Sequence, residues 1–513
     1  MSPSSFESVA CPRCGFPELA PLVILPEPAA PAPDFICTND LPPDSAIVGT
    51  RREIAVAETG IAHVEEKMAD LERVIDQLRL RRQGLRVFIA DHRRVIAPIR
   101  RLPMELLSEI FSHCVERDAY KWDPTTNVEW ILVQVSRAWR AVSISMLQIW
   151  NRISISDASA PKNVDLKAAL SLQLERSAHC PLTVDLHLDF RFCSSERRMS
   201  VLEPLFSARD RWQCVNIHLT EAEFSHFRSD TSFPKLTKLG LGINSPKDKC
   251  VFDSIFQATP ALQELHYTGR IDDWHSRARP VTLLSQIQCF PLSQLRRLDL
   301  WKVKYDPSDL SSVLRLACNI LELQLRECFG LSAVQANPKT LPNLVSLSVA
   351  KCDDTLPGYI IAPVLRRLTI SFVPNTRLSN DLVSFMTRTG PSLTDLTFHH
   401  APAREALLKL LALAPHLTSL SIMGGRTTPI GLDFIKGLTC GLGERNLVPH
   451  VVSLELTGVF EISNNNFLLA MLTSRYISGP LKSVRIGGAK RLADIQEQLL
   501  VLGLNLVNLR TKS

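Results

Sequence analysis

The residues whose types and spacing could do chemistry begin near the start of the chain. Cys11 and Cys14 stand in a Cys-Pro-Arg-Cys motif followed by glycine, which is half of a structural zinc site. Such a site takes four ligands, but a second pair is missing, since only Cys37 and the distant His63 are nearby in sequence. We therefore favour two ordinary thiols over a zinc centre and predict no metal ion.

A second group of reactive side chains is His399 and His400, in the stretch HHAPAREALL. Since a base, a nucleophile and an orienting group do not converge around them, we predict a surface feature. The sequence also lacks a phosphate-binding loop, a GxSxG elbow and an HExxH helix. These observations predict a chain without catalytic residues and without a cofactor.

Composition limits the remaining classes of function. The chain has 513 residues, 45% apolar and 21% charged, with a net charge of +6. This charge is small for the size and does not indicate a nucleic-acid partner. The N-terminus shows no secretory signal, and the longest apolar run, from Leu499 to Leu504, is far below the ~20 residues of a membrane helix. We expect a cytoplasmic or nuclear protein with reduced cysteines and no membrane contact.

One phrase recurs through residues 156–513: a leucine, two variable residues, a leucine, one variable residue and an apolar residue. Strong copies start 21 to 34 residues apart: LTKLGL at 236, LQELHY at 262, LRRLDL at 295, ILELQL at 320, LVSLSV at 344, LRRLTI at 365, LTDLTF at 393, LTSLSI at 417, VVSLEL at 451 and LKSVRI at 481. Weaker copies start at 183, 214 and 506. The alternation predicts short strands, and helix-spaced apolar residues precede many of them, such as Leu310, Val313 and Leu314. Stacked strand-helix units form a solenoid, and these units resemble leucine-rich repeats of the cysteine-containing type.

The segment ahead of the repeats carries a heptad. Its a positions are Ile47, Ile54, Ile61, Met68, Ile75, Arg82, Ile89 and Ile96, and its d positions are Thr50, Ala57, Val64, Leu71, Leu78, Leu85 and His92. This repeat predicts a coiled coil, and a helix lying along the rest of the chain is the alternative. Acidic residues dominate the first half and basic residues the second, which favours an antiparallel partner, either a second copy or a different helix. Gly60 and Gly84 each cost ~1 kcal/mol, so a bend or break there stays open.

Residues 98–155 predict three short helices with more apolar surface than their own core needs. Pro98 ends the heptad helix, and Pro103 fits the first turn of the next one, where Leu102 is a poor cap. The apolar side chains of MELLSEIF cover an arc of ~160°, whereas a core-facing stripe needs ~100°. WILVQVSRAWRAV predicts a second helix and the residues around Leu147 a third.

These three segments resemble an F-box. The matching residues are Leu102, Pro103, Glu105, Leu106, Leu107, Ile110, Phe111, Val135, Ser136, Arg137, Trp139, Arg140, Leu147 and Trp150. The loop from Val115 to Glu129 is longer than is usual in that family. The resemblance implies docking to a Skp-type adaptor, which joins a cullin, through Leu102, Pro103, Leu106, Ile110, Val135 and Trp139. The alternative is that these six side chains are only the core of a helical domain.

The resemblance further implies that the repeats bind a protein substrate. Variable residues between the apolar positions of a strand point to its other face. On the central copies we select Arg297, Trp301, Arg326, Arg367 and His399, because Trp and Arg are frequent at hot spots. For Trp301, cover by a neighbouring loop is an equal alternative.

The predicted organisation is an α/β chain: a proline-rich tail at 1–45, a coiled coil at 46–97, an F-box at 98–155 and a leucine-rich-repeat-like solenoid at 156–513. The function that this layout implies is substrate recognition in a Skp-cullin-F-box ubiquitin ligase, with self-association through the coiled coil as a further expectation. The alternative is a scaffold of coiled coil and repeats without a role in ubiquitin transfer.

Overall fold

The computed structural model describes residues 40–115, 127–156, 165–187, 195–220, 223, 232–244, 256, 258–269, 287, 290–305, 307–330, 338–352, 360–371, 376–389, 392–425, 429–441, 447–461 and 466–487. The chain divides into two compact units, Met1–Pro103 and Met104–Ser513. The Cys11–Cys14 pair and the weak repeat copy at 506 lie outside the described residues.

The first unit contains one long helix, α1, Asp44–Val95. It runs through Gly60 and Gly84 without a break, and none of its 52 residues is buried. Surface ion pairs one turn apart, such as Asp76 with Arg79 at 3.0 Å, decorate it. The helix ends just before the short 3-10 turn Pro98–Arg101, as the prediction for Pro98 requires.

The second unit begins with three helices, α2 Met104–Cys114, α3 Val128–Val135 and α4 Arg137–Ser145, and a 3-10 turn, Leu147–Trp150. The prediction of one helix over WILVQVSRAWRAV is wrong, because the helix breaks at Ser136. That serine is extended, with φ −158° and ψ 168°, and its hydroxyl accepts the backbone N–H of Trp139 at 3.2 Å. A serine in this role ends one helix and starts the next.

A 13-stranded parallel sheet follows, and its strands lie in the order of the sequence. The strands are β1 Arg152–Ser156, β2 Leu182–His187, β3 Trp212–Thr220, β4 Lys238–Asn244, β5 Glu264–Thr268, β6 Arg297–Trp301, β8 Glu322–Arg326, β11 Ser346–Ala350, β13 Arg367–Ser371, β14 Asp395–Phe398, β15 Ser419–Gly424, β17 Ser453–Gly458 and β19 Ser483–Ile486. The other described strands form three separate two-stranded sheets. These are β7 Lys304–Tyr305 with β9 Phe329–Gly330, β10 Lys339–Thr340 with β12 Ile360–Ile361, and β16 Ile430–Gly431 with β18 Phe460–Glu461. Each strong copy of the phrase begins two residues before a strand, which confirms those predicted strands, whereas β1 was not predicted.

Helices connect many of the successive strands. They are α5 Leu166–Arg176, α6 Ser195–Ser207, α7 Pro307–Leu316, α8 Thr376–Thr389, α9 Arg404–Ala412, α10 Leu432–Leu438 and α11 Asn466–Ser478. The side chains expected to face the core are buried, for example Leu310 and Val313 on α7 and Phe385 on α8. The chain is therefore of the α/β class, with a parallel sheet.

The core repeats from strand to strand. The three apolar positions of each phrase are buried, as at Leu295, Leu298 and Leu300. Cys328 and Cys352, which follow β8 and β11, are also buried, and their thiols donate to the carbonyls of Leu300 and Leu325 at 3.3 Å each. The hydrogen bond with Cys352, together with burial, raises the pKa of the Cys328 thiol well above its ordinary value, which keeps the thiol protonated.

A column of aromatic rings runs through this core. Trp212, Phe233, Phe256 and Phe290 stack with successive centroids 5.6, 5.5 and 5.1 Å apart. Trp212 begins β3, and the three phenylalanines precede β4, β5 and β6 in turn. All four side chains are buried. Ring stacking adds to the hydrophobic gain of burial, so this column stabilises the packing between successive strand segments of the core.

Tight turns follow three central strands. Lys302, Glu327 and Lys351 come directly after β6, β8 and β11 and have φ of 54°, 51° and 50°. Each donates its backbone N–H to the last residue of the next strand in the sheet, as Lys302 does to the carbonyl of Arg326 at 2.9 Å. The ladder gains hydrogen bonds in this way, although the left-handed conformation costs an ordinary residue ~1–2 kcal/mol.

Among the described residues, no helix is both long enough and apolar enough to cross a membrane. Within the same ranges, no group of three or more His, Cys, Asp or Glu side chains is arranged to hold a metal ion.

Candidate functional site

Helix α2 separates its apolar side chains onto two faces. Leu107 and Phe111 are buried, with 4% and 0% of their surface exposed. Leu106 and Ile110, one turn apart on another face, are 52% and 39% exposed. The helix therefore carries more apolar surface than the second unit covers, as its sequence predicts.

Helix α3 repeats this division. Leu132 and Val133 are buried, whereas Ile131 and Val135, again one turn apart, are exposed. Trp139 on α4 is half-buried, with its ring centroid 4.9 Å from that of Phe111. Of the residues assigned to adaptor binding in this unit, Leu106, Ile110 and Val135 are exposed and Trp139 packs partly on the helical core.

The remaining two assigned residues end the first unit. Leu102 is half-buried with an extended backbone, at φ −67° and ψ 134°, and Pro103 is exposed. Helix α2 begins only at Met104, so Pro103 precedes the helix rather than occupying its first turn. The extended conformation of Leu102 is the one that a following proline favours.

The three helices are attached to the sheet through Trp150. Its indole N–H donates to the carbonyl of Ser143 at 2.8 Å, and its ring packs edge-on against Trp130 at 5.4 Å. The guanidinium of Arg176, from α5, lies 4.4 Å from the centroid of the Trp150 ring. Burial lowers the pKa of Arg176, but guanidinium groups stay protonated. The helices are thus held by a cation–π contact and side-chain hydrogen bonds.

The second candidate surface is the polar face of the sheet, where the variable side chains of the strands form rows. Glu322 on β8 binds Arg297 on β6 at 3.2 Å and Arg367 on β13 at 3.1 Å. Arg367 reaches across β11, where the residue in register is the small Ser346. Two of the predicted binding arginines are therefore joined by one carboxylate.

A neighbouring network surrounds Asp299. This carboxylate is nearly buried and binds His266 Nδ1 at 2.8 Å and Arg326 at 2.7 Å, and Arg326 also donates to Gln324 at 3.0 Å. Thr268 Oγ1 lies 3.3 Å from the other ring nitrogen of His266. The chain of hydroxyl, imidazole and carboxylate has the connectivity of a nucleophile with its base and orienting group. Thr268 is only 1% exposed, however, so its hydroxyl is out of reach of a substrate.

Trp301 and His399 have different settings. Trp301 is half-buried at the end of β6, in register with Arg326, and the ammonium of Lys302 lies 5.0 Å from its ring centroid. His399 is exposed and comes after the last residue of β14, so it does not belong to the network of Glu322 and Asp299. The structure therefore brings together Arg297, Arg326, Arg367 and Trp301 on central strands and leaves His399 apart.

Sequence reasoning missed His266 in this surface. The signal was present, since aligning LQELHY with LRRLDL puts His266 and Asp299 in one column, and the two residues pair in register. Beyond β8 the row of Asp299 and Gln324 changes to hydroxyl groups at Ser348, Thr369, Thr397 and Ser421, and it becomes charged again at Glu455 and Arg485. This row of the polar face thus has a hydroxyl-rich stretch between charged residues.

No protein-family model matches the chain, and no curated protein matches it in sequence.

Proposed function

We propose that this chain is the substrate-recognition subunit of a Skp-cullin-F-box ubiquitin ligase. In this proposal α2, α3 and α4 are the F-box that docks a Skp-type adaptor, the strands and helices that follow form a leucine-rich-repeat-like solenoid, and its polar face holds a protein substrate. In this proposal the chain acts by proximity, because holding substrate lysines beside a bound conjugating enzyme raises their effective concentration.

One observation carries the proposal. Leu106 with Ile110 and Ile131 with Val135 are apolar pairs left exposed on helices whose other faces are already buried. Exposed apolar side chains at such helical spacing are typical of surfaces that bind another protein. The F-box motif has the same order along the chain as Leu102, Pro103, Leu106, Ile110 and Val135.

The solenoid proposal is supported by the register of the sheet. Successive strands pair in sequence order, and the buried positions of one phrase face those of the next, as Leu298 faces Leu323. Units that contact only their neighbours produce the extended polar face that repeat proteins use for binding. On that face Arg297 and Arg367 already share Glu322, so a substrate would meet a charge network rather than isolated cations.

The test is co-expression of the full chain with a Skp-type adaptor, followed by affinity capture. We expect a stable complex with the wild-type chain and its loss in the double variant Leu106→Asp with Ile110→Asp, because a carboxylate in an apolar contact is left desolvated and unpaired. Since both side chains are exposed, the variant should keep the melting temperature of the wild type.

A matched control is Leu172→Asp with Leu316→Asp, on α5 and α7, where the leucines are 36% and 44% exposed. This variant should bind the adaptor as the wild type does. Absence of a wild-type complex, or capture of the adaptor by the Leu106 and Ile110 variant, would overturn the proposal.

A scaffold without ubiquitin transfer is the second candidate, and α1 is the observation that favours it. The helix exposes an extended series of apolar side chains, among them Ile61, Met68 and Ile75, whatever the role of the helices after it. A scaffold would associate through α1 while capturing no adaptor, so the same experiment separates the two functions.

A further inference from the structure

We infer that α1 pairs with the α1 helix of a second copy of this chain, in antiparallel orientation. The first step is the apolar seam. Ile54, Ile61, Val64, Met68, Ile75, Leu78, Leu85 and Ile89 occupy a and d positions of one heptad, and each is at least 46% exposed. Along an uninterrupted helix these positions form one continuous seam that drifts by ~20° per heptad, and left-handed supercoiling around a partner removes this drift and allows knobs-into-holes packing.

The second step is the row of charges beside that seam. With Ile61 and Ile75 at a, the e positions from residue 58 onward hold Glu58, Glu65 and Glu72 and then Arg79, Arg86 and Arg93. In an antiparallel pair, the e row of one helix runs beside the e row of the other in reverse. The acidic half of each copy then faces the basic half of its partner.

A parallel pair gives the opposite result. There each g side chain meets the e side chain five residues later on the partner. Glu53 would approach Glu58 of the other copy, and Arg81 would approach its Arg86, so both pairs would repel. Only Lys67 with Glu72 would attract among these three charged pairs. The same charges therefore favour one orientation and disfavour the other.

Local ion pairs do not remove this preference. Arg79 bonds Asp76 within α1, but the two side chains are 67% and 68% exposed. An exposed pair of this kind contributes little and is readily exchanged for a partner across an interface. The antiparallel arrangement therefore remains favoured when the helix meets a second copy.

Charge reversal on the full chain tests the inference. We expect a dimer in sedimentation velocity at about 50 µM or below. The triple variant Glu58→Arg, Glu65→Arg and Glu72→Arg should weaken it by about 100-fold, because attraction becomes repulsion along the whole length of the paired e rows. Adding Arg79→Glu, Arg86→Glu and Arg93→Glu to that variant should restore the dimer, since the complementary order returns in reverse.

A matched control is Glu66→Arg, Asp76→Arg and Asp91→Arg, which changes the net charge equally at positions outside the a, d, e and g rows. It should leave the dimer intact, and circular dichroism should show equal helix content in every variant. A monomeric wild type overturns pairing with a second copy. A dimer that resists the first triple variant overturns the antiparallel orientation. The adaptor-binding test can fail or succeed independently of both results.

Discussion

The long helix α1 and the strands of the sheet both repeat apolar residues at a fixed spacing, yet their side chains end in different environments. Leu323 on β8 is fully buried, whereas Leu78 on α1 is 46% exposed. Leu323 lies in register with the buried Leu298 and Leu347 of the two neighbouring strands, which belong to the same chain. The heptad of α1 specifies a seam without supplying the surface that fills it. A regular apolar spacing therefore identifies a surface that can be buried but does not identify the molecule that covers it.

The largest expected effect comes from removing the same side chain in the two regions. Leu323→Ala should lower the free energy of unfolding of the second unit by about 2–5 kcal/mol, since it leaves a cavity in a packed core. Leu78→Ala should leave that unfolding transition unchanged. Chemical denaturation followed by tryptophan fluorescence measures both, and equal losses would contradict the division between covered and uncovered apolar residues.

A buried charge gives a smaller effect. Glu129 on α3 is 6% exposed, and burial raises the pKa of its carboxyl group above the ordinary value. The folded state therefore holds the proton more tightly than the unfolded state, so stability falls as the pH rises from the ordinary pKa through the raised one. Glu129→Gln, which keeps an acceptor for the amide of Asn127 3.0 Å away, should raise the melting temperature at pH 7.

That gain should shrink as the pH falls toward 4, where the carboxyl group of the wild type is protonated. Glu66→Gln on the exposed surface of α1 is the matched control and should change the melting temperature at neither pH. A gain for Glu129→Gln of the same size at pH 4 and pH 7 would rule out the burial of its charge as the cause.

The smallest effect concerns one substitution with opposite signs in the two regions. Lys351 has a left-handed backbone with φ 50°, which glycine adopts without strain. Glycine removes the strain but makes the unfolded chain more flexible, which offsets part of the gain. The net effect of Lys351→Gly should be to stabilise the second unit by about 0.5–1 kcal/mol. Lys67→Gly should instead destabilise the helix α1 by ~1 kcal/mol and so lower its helix content. Thermal unfolding and circular dichroism compare the two, and a destabilised Lys351→Gly variant would contradict the strain at that turn.

The sequence predicted the strands and the long helix because both depend on local periodicity. The leucine phrase locates each central strand to within two residues, and the heptad continues to the proline that follows α1. The break at Ser136 was missed, since one serine inside a helical pattern changes the apolar spacing little while its hydroxyl caps a new helix. Strand β1 was missed because no leucine phrase marks it.

The candidate surfaces were only half predictable for a different reason. The exposure of Leu106 and Ile110 follows from the width of the apolar arc on one helix. The pairing of Arg367 with Glu322 joins residues 45 positions apart and depends on the register of three strands and on the small Ser346 between them. Such contacts are decided by tertiary structure, so the alternation along each strand placed the arginines on the polar face without showing which carboxylates they bind.

The order of the strands has a mechanical consequence. Since each strand of the 13-stranded sheet pairs with the strands before and after it within that sheet, a pulling force applied to β1 and β19 would load the sheet from its edges. Removal of an edge strand exposes the next one and leaves the remaining pairs in place. A sheet built in this way should lengthen under load in a series of small steps, each releasing one edge strand.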